Sequence, residues 1–380
     1  MERPEHSQRL LRAQLGRRVR DGADLLRLRI EEMSKEKPQT WRGFRKLLGP
    51  LPAWATTTMS ARVLPPQSAL FDLVVIDEAA QCDIPAILPM LYRARRALII
   101  GDPRQLAPVI TLPTQEEPRQ QAEAGLRSEW LESRRLVYTR CSGYDAFAAV
   151  ASRTHLLDEH YRCHPDIVAG PNRHVYQGRL TVLTDLARLA ALAEPAVRWQ
   201  HIDGAFTHGA SGSGTNPPEL LAMVAEVQRL RAAYPNASVG VVTSLAAQHR
   251  QLETKLVAVG LPSTEVMCGT IHRFQGGERD IMVVSPVGAH GVRESTRNWL
   301  VHQTNLWNVA ITRAKSQLVV VGDHAWWVTT RGGRASRDCW PSWHADPPTD
   351  RPARQHSVRQ QTTYMPHCAA AACGSNVTSR

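Results

Sequence analysis

Leu73-Val74-Val75-Ile76-Asp77-Glu78 is a run of four apolar residues that ends in two carboxylates. The apolar run predicts a short buried strand of the kind found in parallel sheets. The carboxylates would then lie at the carboxyl end of that strand, which is where open parallel sheets bind ligands. A solvated turn is the competing interpretation, because an acidic pair after a single strand is weak support for a ligand site.

Four more β-branched runs repeat this pattern further along the chain. Each is short, ends in a polar or glycine-containing turn and alternates with helical stretches. This rhythm predicts an α/β protein with parallel sheets. Two runs end alike, in Gly101-Asp102 and Gly322-Asp323, which indicates two related α/β units. The four runs are residues 97–100, 239–242, 281–285 and 318–321.

Length and composition favour a globular protein of more than one domain. The chain has 380 residues, of which 43% are hydrophobic and 21% charged. That length leaves room for two or three domains with a sizeable core. No stretch approaches the roughly 20 apolar residues of a membrane span, and Met1-Glu2-Arg3 begins no signal peptide. We therefore expect a cytoplasmic location and no membrane partner.

The basic charge is concentrated at the two ends of the chain. The net charge of +11 and the pI of about 9.7 predict a polyanionic partner. Residues 1–50 hold 13 basic and 7 acidic residues, and residues 328–380 hold 7 arginines and 3 aspartates. The rest of the chain is nearly neutral, so any nucleic acid contact there must come from local loops.

Charge and hydrophobic periodicity divide the chain into four segments. Residues 1–50 are basic and place leucines among arginines with helical spacing, which predicts an amphipathic helix over residues 5–35. Residues 209–214 predict a flexible loop. After Trp327 the periodicity is lost, and we expect residues 328–380 to be a disordered Arg/Pro-rich tail. The intervening chain forms two α/β segments, residues 51–150 and 151–327.

Five segments, in order along the chain, resemble the conserved motifs of superfamily 1 helicases. The nearest branch contains the nonsense-mediated-decay helicase and the flap-processing nuclease-helicase. The resemblance implies tandem RecA-like P-loop NTPase domains of the AAA class, the first of them incomplete. The matching segments are Val75-Ile76-Asp77-Glu78-Ala79-Ala80-Gln81 (motif II), Gly101-Asp102-Pro103-Arg104-Gln105-Leu106 (motif III), Glu159-His160-Tyr161-Arg162-Cys163-His164-Pro165 (motif IV), residues 269–280 (motif V) and Asn308-Val309-Ala310-Ile311-Thr312-Arg313-Ala314-Lys315 (motif VI).

The resemblance assigns the nucleotide chemistry of the first segment to three residues. Asp77 would anchor Mg²⁺, because this hard cation prefers oxygen ligands and usually takes one or two carboxylates together with phosphate. Glu78 would orient or deprotonate the attacking water. Gln105 would detect the γ-phosphate of ATP by hydrogen bonding. A surface turn is the alternative for Gln105.

Four further residues are expected to reach the nucleotide from the second segment. Arg162 and Arg313 would be arginine fingers, since a planar guanidinium can match two phosphate oxygens at once. Tyr161 would stack on the adenine, although an ordinary core tyrosine is the alternative. Gly276 would allow close approach of the backbone to the nucleotide, and Glu278 would lie near the ribose.

Hydroxyl residues at strand ends are candidates for contact with single-stranded DNA or RNA. Thr57 and Thr58 precede motif II and resemble motif Ib of the family. Thr243, Ser244 and Thr270 are candidates in the second segment. The competing interpretation is that these hydroxyls cap turns at strand ends.

The phosphate-cradling motif Gly-x-x-x-x-Gly-Lys-Ser/Thr does not occur in the sequence. The motif requires a lysine, and the chain has only five. Of these, only Lys315 precedes a hydroxyl residue, and it lies inside motif VI without the required glycines. The remaining residues could complete a nucleotide site but are not expected to form one alone. We therefore expect a C-terminal portion of a larger helicase, or a chain whose P-loop comes from a separate chain.

The sequence thus predicts an ATP-dependent, Mg²⁺-dependent DNA/RNA helicase with 5′→3′ translocation, inactive as an isolated chain. The alternative is a non-catalytic module, derived from a helicase, that binds nucleic acid or a partner. Seven scattered cysteines indicate incidental thiols. A zinc site at Cys368, Cys373 and His367 is disfavoured by its spacing.

Overall fold

The N-terminal segment forms two consecutive helices that meet at a glycine. Pro50 packs against this junction, where a Cβ on Gly22 would come within 2.3 Å of the proline ring. The helix predicted over residues 5–35 is therefore divided in two. The first helices are α1 (Arg3–Asp21), α2 (Ala23–Met33) and α3 (Phe44–Leu47). The computed structural model describes residues 3–34, 44–209, 213–274 and 276–330, all of them in one compact unit.

A two-stranded parallel sheet carries the first acidic pair. Its elements are β1 (Val74–Ile76), α4 (Ile84–Tyr92) and β2 (Ala97–Ile99). Ile76 faces a core that includes residues of α3 and α4. On the other face Val75 lies beside Leu98, and these side chains are 51% and 50% exposed. One face of this small sheet is thus packed and the other is open.

Short helices connect the small sheet to the second half of the chain. They are α5 (Glu117–Glu123), α6 (Ser128–Ser133) and α7 (Gly143–Ala148). The buried Glu117 carboxylate accepts hydrogen bonds from the backbone amides of Tyr138 and Thr139 at 2.7 and 3.1 Å. Ser142 and Asp145 form a capping box at the start of α7. Local polar contacts therefore fix this connection.

A parallel strand pair precedes the large sheet. It contains β3 (Glu159–His160), α8 (Pro165–His174) and β4 (Thr181–Val182). α8 begins directly after Arg162-Cys163-His164, because His164 caps the Asp166 amide and Pro165 occupies the first helical turn. Residues 161–164 of motif IV therefore lie in the turn between β3 and α8.

The second half of the chain is built on a five-stranded parallel sheet with the order β5-β11-β10-β8-β9. The helices cover both faces, with α9 and α10 on one side and α8, α11 and α12 on the other. The elements are β5 (Val197–His201), β6 (Thr207–His208), β7 (Gly214–Thr215), α9 (Pro217–Ala233), β8 (Val239–Thr243), α10 (Ala246–Ala258), β9 (Val266–Thr270), β10 (Arg279–Ser285), α11 (Glu294–His302), α12 (Thr304–Ile311), β11 (Ala314–Gly322) and α13 (His324–Thr329).

The predicted α/β class with parallel sheets is confirmed, and all five predicted runs are strands. Two strands of the large sheet, β5 and β9, were not predicted. The prediction of a flexible loop at residues 209–214 is wrong for Gly214, which lies in β7, pairs with His208 and packs against the Phe206 ring. α13 continues to Thr329, past the predicted end of ordered structure. Residues 331–380, with the candidate zinc ligands, lie outside the described residues.

Candidate nucleotide site

The acidic pair forms a tight turn that the end of β2 closes. The Asp77 carboxylate accepts a hydrogen bond from the Glu78 amide at 2.9 Å, and Glu78 has a left-handed backbone with φ of 53°. The Ala79 amide donates to the carbonyl of Ile100 at 2.8 Å. A Cβ on Gly101 would lie 2.8 Å from the Ala80 nitrogen, so this approach requires glycine. Both carboxylates remain exposed.

The acidic turn fits an Mg²⁺ ion that is shared with phosphate. No cluster of three or more potential metal ligands occurs among the residues that the structure describes. Asp77 is exposed and has one carboxylate oxygen bound to a backbone amide, which leaves the other to face a ligand. Mg²⁺ commonly binds through one or two carboxylates, waters and substrate phosphates. Asp77 could therefore hold the ion only together with a nucleotide.

The motif III segment folds around the Asp102 carboxylate. One oxygen accepts from the Arg104 amide at 2.9 Å, and the other accepts from the Gln105 side-chain amide at 3.2 Å. Leu106, which follows, is buried in the core cluster of the large sheet. The segment begins on the small sheet and ends against the large one. It therefore connects the two halves of the chain physically.

Arg313 approaches this segment from the large sheet. Its Nη2 donates to the Gln105 side-chain oxygen at 3.3 Å, and its Nε donates to the Val309 carbonyl. The residue is 3% exposed. Burial lowers the pKa of the guanidinium, and the positive charge of Arg162 lowers it further, while Glu78 acts in the opposite direction. The Arg313 guanidinium is thus subject to the charges of both Arg162 and Glu78.

The second predicted finger, Arg162, pairs with Glu278 rather than with motif III. Its Nε lies 2.7 Å from a Glu278 carboxylate oxygen, and both side chains are partly exposed. Cys163 lies next to Arg162, is fully buried, and donates its thiol to the Thr312 carbonyl at 3.5 Å. Burial raises the pKa of this thiol to about 12, so it stays protonated and unreactive.

The remaining nucleotide candidates line the exposed side of the same region. The Tyr161 ring is 61% exposed, and its hydroxyl donates to the Glu159 carboxylate. Gly276 has a φ of +75° and open space around its Cβ position, so a left-handed turn rather than crowding explains this glycine. An exposed aromatic ring beside a charged pair leaves room for a stacked base.

Asp280, the last residue of motif V, has a structural role near the start of β10. Its carboxylate accepts from the backbone and hydroxyl of Ser238 at 2.8 and 2.7 Å, and it pairs with Lys315 at 2.8 Å. Burial would raise the pKa of Asp280, but the bonds from Lys315 and Ser238 outweigh it and lower the pKa. The motif VI lysine is therefore engaged in a contact within the protein.

The strand-end hydroxyls differ in accessibility. Thr243 and Thr270 are neighbours at the carboxyl edge of the large sheet. Thr243 is fully buried, and its hydroxyl has no hydrogen-bond partner among the described residues, whereas Thr270 is partly exposed. The buried Ser244 hydroxyl donates to the Pro286 carbonyl at 3.1 Å. Thr243 and Ser244 were predicted to contact single-stranded nucleic acid directly. Such contact requires exposed side chains, and these two side chains are buried.

In the first segment, the Thr57 side chain stabilises a turn. Its hydroxyl accepts from the Ser60 amide at 3.1 Å, at the start of a short 3₁₀ helix. The adjacent Thr58 is partly exposed. The capping interpretation therefore holds for Thr57, although its side chain remains exposed to solvent.

An open cleft of about 590 Å³ runs between the two halves beside motif III. The residues after Leu106 form one wall, and the junction of α11 with α12 forms the other. His272, two residues beyond Thr270, also lines it, and burial lowers the pKa of this histidine. The cleft thus adjoins both the motif III segment and the exposed end of β9.

Three residues with buried polar contacts were not predicted as site residues. Tyr176 and Asn308 both contact the motif III segment. Asn308 stands first in the motif VI match, but nothing in the sequence around Tyr176 distinguishes it from a core aromatic residue. Glu219 is fully buried at the carboxyl edge of the large sheet and accepts from the Val287 amide at 3.0 Å.

Comparisons with known proteins find family models and relatives that this chain resembles. Two family models, each described as "AAA domain", match residues 140–325 and 15–112. "Helicase SEN1" of Saccharomyces cerevisiae is 28% identical over 276 residues, which covers 68% of this chain and 11% of that protein. "Probable helicase MAGATAMA 3" of Arabidopsis thaliana is 28% identical over 277 residues, covering 67% of this chain and 30% of that protein.

"Probable helicase senataxin" of Homo sapiens is 26% identical over 263 residues, covering 66% of this chain and 9% of that protein. Among solved structures, arterivirus nonstructural protein 10 (helicase) with DNA is 13% identical with a TM-score of 0.35, covering 68% of this chain and 42% of that one. The chain thus spans less than a third of the three relatives named here. The family matches and these relatives show that it belongs to the superfamily 1 helicases, in the branch of the nonsense-mediated-decay helicase.

Proposed function

We propose that this chain forms one wall of the Mg²⁺–ATP site of a DNA/RNA helicase. The contact between Arg313 and Gln105 carries the proposal. Arg313, the proposed arginine finger, comes from the large sheet, and Gln105, the proposed γ-phosphate sensor, lies beside the small sheet. Their side chains lie within hydrogen-bond distance of each other. The negative charge of Glu78 also acts on this guanidinium. A nucleotide held between these groups would be contacted by both halves of the chain, as coupling of hydrolysis to movement requires.

Each residue has a stated role in this proposal. Asp77 holds Mg²⁺ jointly with the phosphates, and Glu78 orients or deprotonates the attacking water. Arg313 and Arg162 neutralise charge on the transferring phosphoryl group, a function that contributes about 10³–10⁵ in rate where it has been measured. Tyr161 stacks on the base. Gly276 and Glu278 line the sugar side of the site, the glycine by its backbone.

We further propose that a phosphate-cradling segment comes from outside residues 1–380. The chain has no Gly-x-x-x-x-Gly-Lys-Ser/Thr motif, so no backbone loop of that type surrounds the β- and γ-phosphates. The open face of the small sheet, around Val75 and Leu98, is an apolar surface on which an additional strand or helix could pack. A preceding segment of a longer protein or a separate chain would serve equally. Hydrolysis by the present chain alone is not expected.

Single-stranded nucleic acid would bind across the carboxyl edges of both sheets. Thr270, Thr57 and Thr58 have the accessible hydroxyls, and the open cleft beside motif III adjoins the first of these. Thr243 and Ser244 would contribute only if binding uncovers them. The family resemblance favours 5′→3′ movement. The cytoplasmic location and the boundaries at residues 50, 150 and 327 also remain predictions.

The alternative function is a non-catalytic module that binds nucleic acid or a partner. The missing P-loop lysine favours it, because the other motifs could persist as a strand-binding surface without ATP chemistry. Both functions predict binding of a single strand, with an affinity that falls as salt rises. They differ in whether an assembled enzyme hydrolyses ATP with these residues.

The decisive experiment measures ATP turnover and strand binding by the purified chain. We expect no turnover with single-stranded DNA or RNA, together with salt-sensitive binding of a fluorescent oligonucleotide. A turnover typical of helicases that is lost in Glu78→Gln would refute both the missing-segment proposal and the module. If adding a P-loop-bearing segment restores turnover and Glu78→Gln abolishes it, the helicase function is supported. If the assembled enzyme is indifferent to Glu78→Gln, the nucleotide roles fail.

A further inference from the structure

Tyr176 is a buried tyrosine whose hydroxyl joins the two halves of the chain. It follows α8 and is 8% exposed. The hydroxyl donates to the Asp102 carboxylate at 2.6 Å and accepts from the Asn308 side-chain amide at 2.9 Å. Asp102 belongs to motif III, and Asn308 lies in α12. One hydroxyl therefore bridges motif III and the helix that leads to Arg313.

Asp102 passes this contact on to Gln105. The carboxylate oxygen that accepts from Tyr176 also accepts from the Gln105 side-chain amide at 3.2 Å. That bond leaves the other end of the Gln105 amide, its oxygen, to accept from Arg313. The orientation of Gln105 is thus fixed from both ends, by Asp102 on one side and Arg313 on the other.

Two asparagine side chains of α12 contact the backbone of the motif III segment. The Asn308 amide donates to the Arg104 carbonyl at 3.0 Å, and the Asn305 amide donates to the Pro103 carbonyl at 3.1 Å. The Arg104 guanidinium lies 5.6 Å from the centre of the Tyr176 ring. These hydrogen bonds act together with the Tyr176 bridge to set the distance between the motif III segment and α12.

We propose that Tyr176 is a positioning residue that sets the geometry between Gln105 and Arg313. The relevance of this role to catalysis rests on the proposed nucleotide site, but the geometric role itself does not. A hydroxyl that both donates to a carboxylate and accepts from an amide defines one arrangement of these three groups. Loss of the hydroxyl leaves a partly buried carboxylate without its shortest hydrogen bond and so weakens the anchor that Asp102 provides for Gln105.

The chemistry of the bridge keeps the hydroxyl protonated. Burial is the main cause that raises the pKa of Tyr176, and the negative charge of Asp102 adds to it. The hydroxyl is therefore a donor throughout the physiological range of pH. A phenylalanine at this position would keep the ring, its packing and its contact with Arg104, and would remove the bridge alone.

The test compares Tyr176→Phe with Tyr234→Phe by hydrogen–deuterium exchange in the free chain. Tyr234 is a matched control, because it is partly buried and its hydroxyl accepts from the Ala193 amide on the other side of the large sheet. We expect exchange of the Arg104 and Gln105 amides to rise about tenfold or more in Tyr176→Phe, as a lost bond to a carboxylate implies. Exchange in β8 and β10 should stay unchanged.

The proposal is overturned if the two variants exchange alike at Arg104 and Gln105. A uniform increase across the large sheet would also overturn it, because that result indicates a general loss of stability. Should Tyr176→Phe not fold, Asn308→Ser provides the second variant, since it removes the other partner and predicts the same local increase. The measurement uses no nucleotide, so it can succeed or fail independently of the proposed ATP site.

Discussion

Arg313 and Gln105 are 208 positions apart in the chain, yet the guanidinium of one donates to the amide oxygen of the other at 3.3 Å. Both partners of the Arg313 guanidinium, the Gln105 amide oxygen and the Val309 carbonyl, are uncharged. No carboxylate forms an ion pair with it among the described residues. A charge that is buried with neutral partners is unfavourable for folding. Arg313 is thus placed at the expense of stability, as expected of a group retained for function.

We therefore predict that Arg313→Met stabilises the protein. Methionine fills a similar volume and removes a desolvated charge, so the free energy of unfolding should rise by about 1 kcal/mol. Urea denaturation at neutral pH measures the change. Arg162→Met is the control, because this partly exposed residue has a carboxylate partner and should change stability by less than about 1 kcal/mol. A loss of stability in Arg313→Met would contradict the interpretation.

The left-handed backbone of Glu78 leads to a second prediction. A non-glycine residue at a φ of 53° bears a steric cost that glycine avoids. Glu78→Gly should therefore be more stable than Glu78→Ala, by up to about 1 kcal/mol after the greater freedom of glycine in the unfolded chain is counted. Both variants lose the carboxylate, so charge cancels from the comparison, which thermal denaturation can make. Equal stabilities would mean that the turn is not strained.

Glu219 predicts a dependence of stability on pH. Burial raises its pKa to about 8, and the nearby charge of Asp323 adds to the effect. The unfolded carboxyl ionises near pH 4.5, whereas the folded one stays protonated until about pH 8. The stability that Glu219 provides is therefore full below pH 4.5 and is lost as pH rises towards 8, by up to about 1.4 kcal/mol for each pH unit.

Denaturation of Glu219→Gln and of the unchanged chain at pH 5 and pH 8 checks this sign. Glutamine cannot ionise, so the decline between these two values should be smaller in the variant. Glu226→Gln is the matched control, because Glu226 is buried on the same helix but is paired with Arg198 and Arg229. An equal decline in Glu219→Gln and the unchanged chain would rule out Glu219 as its source.

The sequence pattern was sufficient for the strands that are apolar on both sides. β8 and β10 are rich in β-branched residues because helices cover both faces of the sheet, and such runs are recognisable from local sequence. β5, at the edge of the sheet, contains Arg198 and Gln200 between its apolar residues, so it lacks that signal. β9 has Met267, Cys268 and Gly269 between its two β-branched ends, and this composition concealed it. Both are strands because they pair with β11 and β8 respectively, and local sequence does not show that pairing.

The candidate site shows the same limit. Asp77, Gln105 and Arg313 could be proposed because each lies in a local motif. That Arg313 bonds to Gln105 while Arg162 bonds to Glu278 depends on how the two halves of the chain pack, which no local pattern contains. The burial of Thr243 was missed for a related reason. A strand end looks alike in sequence whether or not a neighbouring loop covers it.

Thr243 and the adjacent Ser244 are predicted to respond to loss of their hydroxyl with opposite changes in the free energy of unfolding. Its buried hydroxyl has no partner within the described structure, so Thr243→Val should stabilise the protein by about 1 kcal/mol. The Ser244 hydroxyl has a partner, the Pro286 carbonyl, and Ser244→Ala should cost about 1 kcal/mol. Denaturation curves give both values. If Thr243→Val instead weakens oligonucleotide binding, the hydroxyl is used when a strand is bound.

The open face of the small sheet gives the last prediction, a contrast between two neighbouring residues. Ile76 is buried in the core, and Ile76→Ala should lower the free energy of unfolding by about 2–4 kcal/mol. Val75 is half exposed on the other face, so Val75→Ala should cost less than about 1 kcal/mol in the free chain. Urea denaturation of the two variants tests this difference.

A phosphate-cradling segment packed on that face would change the result in a specific way. In a preparation that contains the segment, Val75 becomes buried, and Val75→Ala should then cost about as much as a comparable core truncation, while Ile76→Ala should be unaffected by the addition. Val75→Lys should block association without unfolding the free chain, because a charge at an exposed position is hydrated until a partner covers it. Association that survives Val75→Lys would place the missing segment elsewhere on the protein.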